Sequence, residues 1–216
     1  MKLLNKEQLK KDILKSILDQ VYKKLLNNSP IIREKIRQEH LRIWKNSIVY
    51  KELLHGDLGH QIGFYKGTAQ HMVDTILEVF SRSLLVHVRK FRKKSGIYTG
   101  LKIEVLKMTR LIGLTDLDES IIDTQNTATR RYLPWVQWLF FDGNKFLVYD
   151  FEYTPTADVR SRSGFGLMTH NESEAWRIPP QFSGVATNNW IIRELEENIG
   201  HLNSFYGTVI EESINV

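Results

Sequence analysis

Apolar positions recur at steps of three and four along the first part of this chain. Leu14, Ile17, Leu18, Val21 and Leu25 follow that spacing, while Lys10, Lys11, Lys15, Lys23 and Lys24 fall mostly elsewhere. The period predicts an amphipathic helix over residues 6–26. Asn27-Asn28-Ser29-Pro30 stops it, with Ser29 as an N-cap and Pro30 as the first residue of a second helix. That helix carries Ile32, Ile36, His40 and Ile43 on one face and runs to about Trp44, so the pair reads as a helical hairpin. Gly56, Gly59, Gly63 and Gly67 break the pattern over residues 54–66 and predict a loop or poorly regular segment. Met72, Val73, Ile76, Leu77 and Phe80 predict a third helix over residues 68–80.

The period then changes to two. Leu84, Val86 and Val88 alternate with Leu85, His87 and Arg89, which predicts a strand, and residues 98–108 alternate in the same way. Between them lies a basic hairpin tip, residues 89–96. Residues 111–132 have no clear period and read as a long acidic loop, a length that in compact domains is often functional. Residues 133–141 and 145–153 are rich in aromatic and β-branched side chains about Asp142-Gly143-Asn144, a hairpin signal. On such a strand Trp135 and Trp138 face opposite sides, leaving one for an interface. Residues 164–169 predict a short edge strand, and Pro179-Pro180 an irregular crossing. After a cap at Asn188 or Asn189, Ile192, Leu195, Ile199, Leu202, Tyr206 and Val209 predict one bent helix or two. The fold class is therefore α+β: an N-terminal helical hairpin, an antiparallel sheet of about four strands packed with helices, and a C-terminal helix. Residues 1–50 read as a helical extension and 51–216 as the main domain.

Composition sharpens this in two ways. With 42% apolar residues in 216, a sizeable core forms, and the absence of Cys removes disulfides, thiolate metal sites and a Cys nucleophile together. The net charge of +5 divides into +13 over residues 1–110 and −8 over residues 111–216. That asymmetry points to an acidic polymer or to another copy of the chain as partner. No uninterrupted apolar run approaches the ~18 residues of a spanning helix, and the first residues lack the compact apolar block of a secretory signal.

Catalytic constellations are weak. His55, Asp57 and His60 offer three metal ligands, but not at the i, i+4 helical spacing of a zinc protease, and a polar turn explains them. Ser161-Arg-Ser-Gly-Phe-Gly166 lacks the Lys-Ser or Lys-Thr of a phosphate loop and reads as an edge-strand entry whose glycines permit close backbone approach. No Gly-x-Ser-x-Gly elbow exists. Asp150 and Glu152 lie two apart on a predicted strand, the arrangement of a metal-dependent nuclease, but no Lys follows closely, so a solvated strand face is favoured. No cofactor and no catalytic residue is assigned. The basic tip Arg89, Lys90, Arg92, Lys93 and Lys94, with Phe91 among them, suits either phosphate contact with base stacking or docking on an acidic neighbour.

Five segments together form a familiar pattern: Leu133-Pro-Trp-Val-Gln-Trp-Leu; Phe141-Asp-Gly-Asn-Lys; Ser161-Arg-Ser-Gly; Trp176-Arg-Ile-Pro-Pro-Gln-Phe-Ser-Gly184; and Asn189-Trp-Ile-Ile-Arg193. Over about residues 54–214 the chain resembles neck proteins of contractile-tailed bacteriophages and, more broadly, the tail-completion family that includes the minor tail protein Z of lambdoid phages. The resemblance implies a structural virion protein at the head–tail junction, assembled in the host cytoplasm. It implies a ring of six or twelve copies that completes the tail and joins it to the head, with other neck and tail proteins and packaged DNA as neighbours. It implies no catalytic residues and no membrane.

A head-to-tail ring needs two complementary patches on each subunit. The expected pair is the basic tip or the N-terminal Lys face against an acidic surface such as Asp116, Asp118, Glu119 and Asp123, with Arg160 and Arg162 as further contacts. The alternatives are a nucleic-acid-binding protein using the basic hairpin, and a nuclease using Asp150 and Glu152.

Overall fold

The computed structural model describes residues 6–65, 67–93, 96–105, 124–126, 131–156, 161 and 163–215. Among these the elements run α1 (Lys6–Asn27), α2 (Ser29–Asn46), α3 (Ile48–His55), α4 (Asp57–Ile62), α5 (Ala69–Arg82), β1 (Leu84–Lys93), β2 (Gly96–Val105), β3 (Thr124–Asn126), β4 (Arg131–Leu133), α6 (Trp135–Phe140), β5 (Val148–Pro155), β6 (Gly166–Trp176), α7 (Trp190–Glu197) and α8 (Ile199–Asn215). The chain is a mixture of helix and sheet, with helices at both ends as the period predicts. The single sheet of about four strands is replaced by antiparallel two-stranded ribbons, β1–β2, β3–β4 and β5–β6.

Two compact units divide the chain, and they are interleaved in sequence. The first comprises residues 1–39, 84–105 and 200–216; the second comprises 40–83 and 106–199.

The first unit closes on Leu25 of α1, Ile32 and Ile36 of α2, Leu84 and Val86 of β1 and Val209 of α8. The 27–30 segment scarcely breaks the helix: Asn28 N–H donates to Lys24 O and Asn28 O accepts from Ile32 N–H, both at 3.0 Å. Pro30 has no N–H to lose there. α1 lies along the β1–β2 ribbon. Asn28 Nδ2 donates to Ser213 O and Lys24 Nζ to Ile214 O, each at 2.8 Å, so the α1–α2 junction satisfies carbonyls that the end of α8 leaves open. His201 Nε2 lies 2.5 Å from Glu39 Oε1, and burial, helped by Glu39, pushes the Tyr206 hydroxyl up to about 12. The basic tip also changes. Arg89 through Lys93 belong to β1, paired with Gly100 through Gly96 in a register that continues without a shift from Leu84.

The second unit has the larger core. α5 buries Met72, Val73, Ile76, Leu77 and Phe80, the row its period marks. The glycine-rich stretch expected to be irregular is helical instead. Gly59 faces α3 so closely that a Cβ would stand 2.2 Å from Leu53 O, and Gly63 ends α4 in the left-handed region at φ 87°. Residues 135–140 are helix and not strand. Trp135, Val136, Leu139 and Phe140 are all buried, a three–four spacing that sends every one of them into the core, and packing outweighs their β propensity. Trp135 and Trp138 therefore sit one helical turn apart. Phe64 meets Trp135 edge-on at 5.0 Å, Phe80 meets Phe140 at 5.1 Å, and Trp138 meets Trp176 at 5.9 Å. The expected edge strand is longer than its six residues and becomes β6, whose partner is β5. The last helical stretch is two helices, dividing at Asn198.

Candidate functional site

The five recognisable segments all lie in the second unit, and the structure shows what they do. Pro134 opens α6. The turn at Asp142-Gly143-Asn144 receives the crossing that follows β6: Gly143 N–H donates to Gly184 O at 2.9 Å, and Ser183 Oγ donates to Asn144 Oδ1 at 2.9 Å. Gly184 lies against Asn189, where a Cβ would come within 2.4 Å of the Asn189 Cα. Asn189 Oδ1 accepts from Ile192 N–H and caps α7. Arg193, one turn along, clasps the same crossing, donating from Nη1 to Asn188 Oδ1 and from Nη2 to Gln181 O and Ser183 O. Ser161 Oγ accepts from Gly164 N–H and Gly166 N–H to turn the chain into β6. Gly166 then lets the Tyr153 ring approach to where a Cβ would stand 2.3 Å from it. These residues are scaffold: they cap, turn and pack.

A cavity of about 310 Å³ opens among them, walled by Trp138, Phe151, Tyr153 and Trp176 with His60 and Gln61 at its edge. Trp176 Nε1 donates to Gln61 Oε1 at 3.1 Å. Burial and the nearby Asp57 carboxylate push the Tyr153 hydroxyl up. His55, Asp57 and His60 fall on the end of α3 and on α4. Among the described residues no group of three His, Asp or Glu side chains is gathered for a metal ion, and no helix is long and apolar enough to cross a membrane.

Asp150 and Glu152 do not sit on a regular strand. Tyr149 pairs with Ala175 and Phe151 with His170, so Asp150 alone stands opposite residues 171–174. Asp150 adopts φ 62°, a left-handed conformation that Asp tolerates better than most side chains. Asn171 Oδ1 accepts from both Ser173 N–H and Ser173 Oγ and holds the bulged side. Asp150, Glu152, Glu172 and Glu174 are all exposed. Beside them Phe146 and Tyr149 are 49% and 66% exposed, with their rings 6.4 Å apart. Exposed carboxylates and exposed aromatic rings thus gather along the ribbon and at the entry to β5. Glu172, Glu174, Phe146 and Tyr149 escape a search for catalytic motifs; their signal is charge and aromatic content on one short ribbon.

The first unit carries the opposite surface. Residues 6–17 of α1 are exposed throughout. Leu9, Ile13, Leu14 and Ile17 are each about half exposed, 47–51%. Leu9, Ile13 and Ile17 follow one another at steps of four and so share a face, which Lys6 and Lys10 also occupy. Only Leu14 and Ile17 of this set belong to the row that the period picks out.

Of the expected contact residues, Arg89 and Lys90 are exposed on β1. Lys90 is engaged within its own chain: Nζ lies 2.6 Å from Asp19 Oδ1 and 4.5 Å from the Tyr22 ring centre. Arg92 and Lys93 have a described backbone in β1. Lys94, Asp116, Asp118, Glu119, Asp123, Arg160 and Arg162 lie outside the described residues. In comparisons with protein-family models, curated proteins and solved structures, none matches this chain.

Proposed function

We propose that this chain is a non-enzymatic structural protein of the bacteriophage head–tail junction, whose copies form a ring that completes the tail and joins it to the head. One observation carries the reading. The folded chain exposes two surfaces that combine apolar side chains with charge, and the charges are opposite: basic on α1, acidic on the β5–β6 ribbon. Half-exposed Leu, Ile, Phe and Tyr in such patches mark sites of association. A head-to-tail assembly needs two different complementary patches on one subunit. The five segments that resemble tail-completion proteins support this reading, because each is used for packing, turning or capping.

The neighbours on this reading are copies of the chain, other neck and tail proteins and, at the ring opening, packaged DNA. A monomeric nucleic-acid-binding protein is less well supported, since Lys90 of the basic hairpin already pairs with Asp19. The test is the mass of the purified chain in solution, together with antibody labelling of the particle. Six or twelve copies, the number the resemblance implies, and label at the head–tail junction are expected. A chain that stays monomeric at every concentration and labels no particle overturns the proposal.

A further inference from the structure

We propose that α1 of one copy docks on the β5–β6 ribbon of a second copy, laying the row of Leu9, Ile13 and Ile17 against the Phe146 and Tyr149 rings. This rests on the self-assembly reading above and names the two surfaces that meet.

Two observations lead there. First, residues 6–17 of α1 are exposed, and the row leaves about half of each of three branched aliphatic side chains open to solvent. Farther along, the same helix buries Leu25 in the core of the first unit, so α1 is anchored at one end and presents the other. Second, the ribbon has the matching composition. Tyr149, with the Phe146 ring at the entry to β5, offers apolar area, and the exposed carboxylates of the ribbon suit Lys6 and Lys10, which share the face of the apolar row. A single pairing thereby brings apolar contact and opposite charge together.

An anionic lipid surface also suits a basic apolar helix, but it leaves the acidic aromatic ribbon without a partner and is repelled by it. The α1-to-ribbon contact is heterologous, since each copy gives one surface and receives the other. It therefore propagates from copy to copy and closes where the rotation allows.

The test uses the full chain and two charge-reversed variants. One carries Lys6→Glu and Lys10→Glu; the other carries Asp150→Lys and Glu152→Lys. Each alone is expected to weaken self-association by about fivefold or more, as two exposed ion pairs together supply. Mixed in equal amounts, the two are expected to associate again, because each presents what the other receives. Sedimentation reads association, and circular dichroism checks that each variant is folded. Ile13→Gln with Ile17→Gln tests the apolar row without touching charge and is expected to weaken association and strengthen none of its salt dependence.

Wild-type chains that assemble, with both variants assembling equally well, overturn this contact and leave the ring intact. Wild-type chains that never assemble overturn the ring itself. Failure of the mixture to recover overturns the pairing of these two surfaces. Binding of phosphatidylserine vesicles that the Lys→Glu variant loses, while it assembles as wild type does, overturns the contact in favour of a lipid surface.

Discussion

Lys90 and Asp19 join β1 to α1 by a 2.6 Å ion pair, and Tyr22 lies under the same ammonium group. The hydrogen bond from Lys90 holds the Asp19 carboxyl below its ordinary range, with Lys15 and Lys23 adding to the effect. A folded-state pKa below the unfolded one contributes stability above the unfolded value and loses it as pH falls through the folded value. Lys90→Met should therefore return the Asp19 titration, followed by NMR, toward that of a free carboxyl. It should also narrow the difference in melting temperature between neutral and acid pH. An Asp19 titration that does not move would show that the pair does not persist in solution.

Trp135 is fully buried in the core of the second unit. Trp135→Ala removes a large side chain from a closed site and should cost about 3–5 kcal/mol, measured as a shift in the urea midpoint at constant slope. Trp135→Phe should recover a large part of that loss.

The crossing between β6 and α7 gives a prediction about shape. Gly184→Ala places a methyl group against the Asn189 backbone and should destabilise by about 1–3 kcal/mol. Asn189→Ala removes the α7 cap and should cost about 1 kcal/mol. Because the two residues touch, the double variant should depart from the sum of the single ones when the three unfolding free energies are compared.

Tyr206 sets an alkaline limit. Its hydroxyl is raised from 10.0 to about 12 by burial and by Glu39. A raised folded value means stability is fully present below the unfolded pKa and is lost as pH rises from 10.0 through about 12. Tyr206→Phe should flatten the fall in thermal stability across that window and leave neutral pH nearly unchanged.

How legible each part was follows from how local its cause is. α5 was readable because the five apolar positions its period marks are all buried. The strand from Leu84 was readable by alternation. α6 was not, since Trp, Val and Phe favour strands locally, and only the core that receives Trp135, Val136, Leu139 and Phe140 makes them a helix. The glycines near α3 and α4 were misleading for a related reason: Gly59 serves a close approach to Leu53, which is a tertiary contact and not a loop signal. The charge asymmetry was visible in the sequence. The pairing of Lys90 with Asp19 was not, because 71 residues separate them.

The bulge at Asp150 has a further consequence for the edges of the ribbon. A two-stranded ribbon has open edges, and an open edge invites another strand to extend it without limit. A left-handed aspartate opposite four β6 residues, with Glu152, Glu172 and Glu174 nearby, interrupts the row of amide and carbonyl groups such a strand would need. Extension of this ribbon by continuous hydrogen bonding, the route to insoluble fibres, is thereby disfavoured, while its side chains stay accessible.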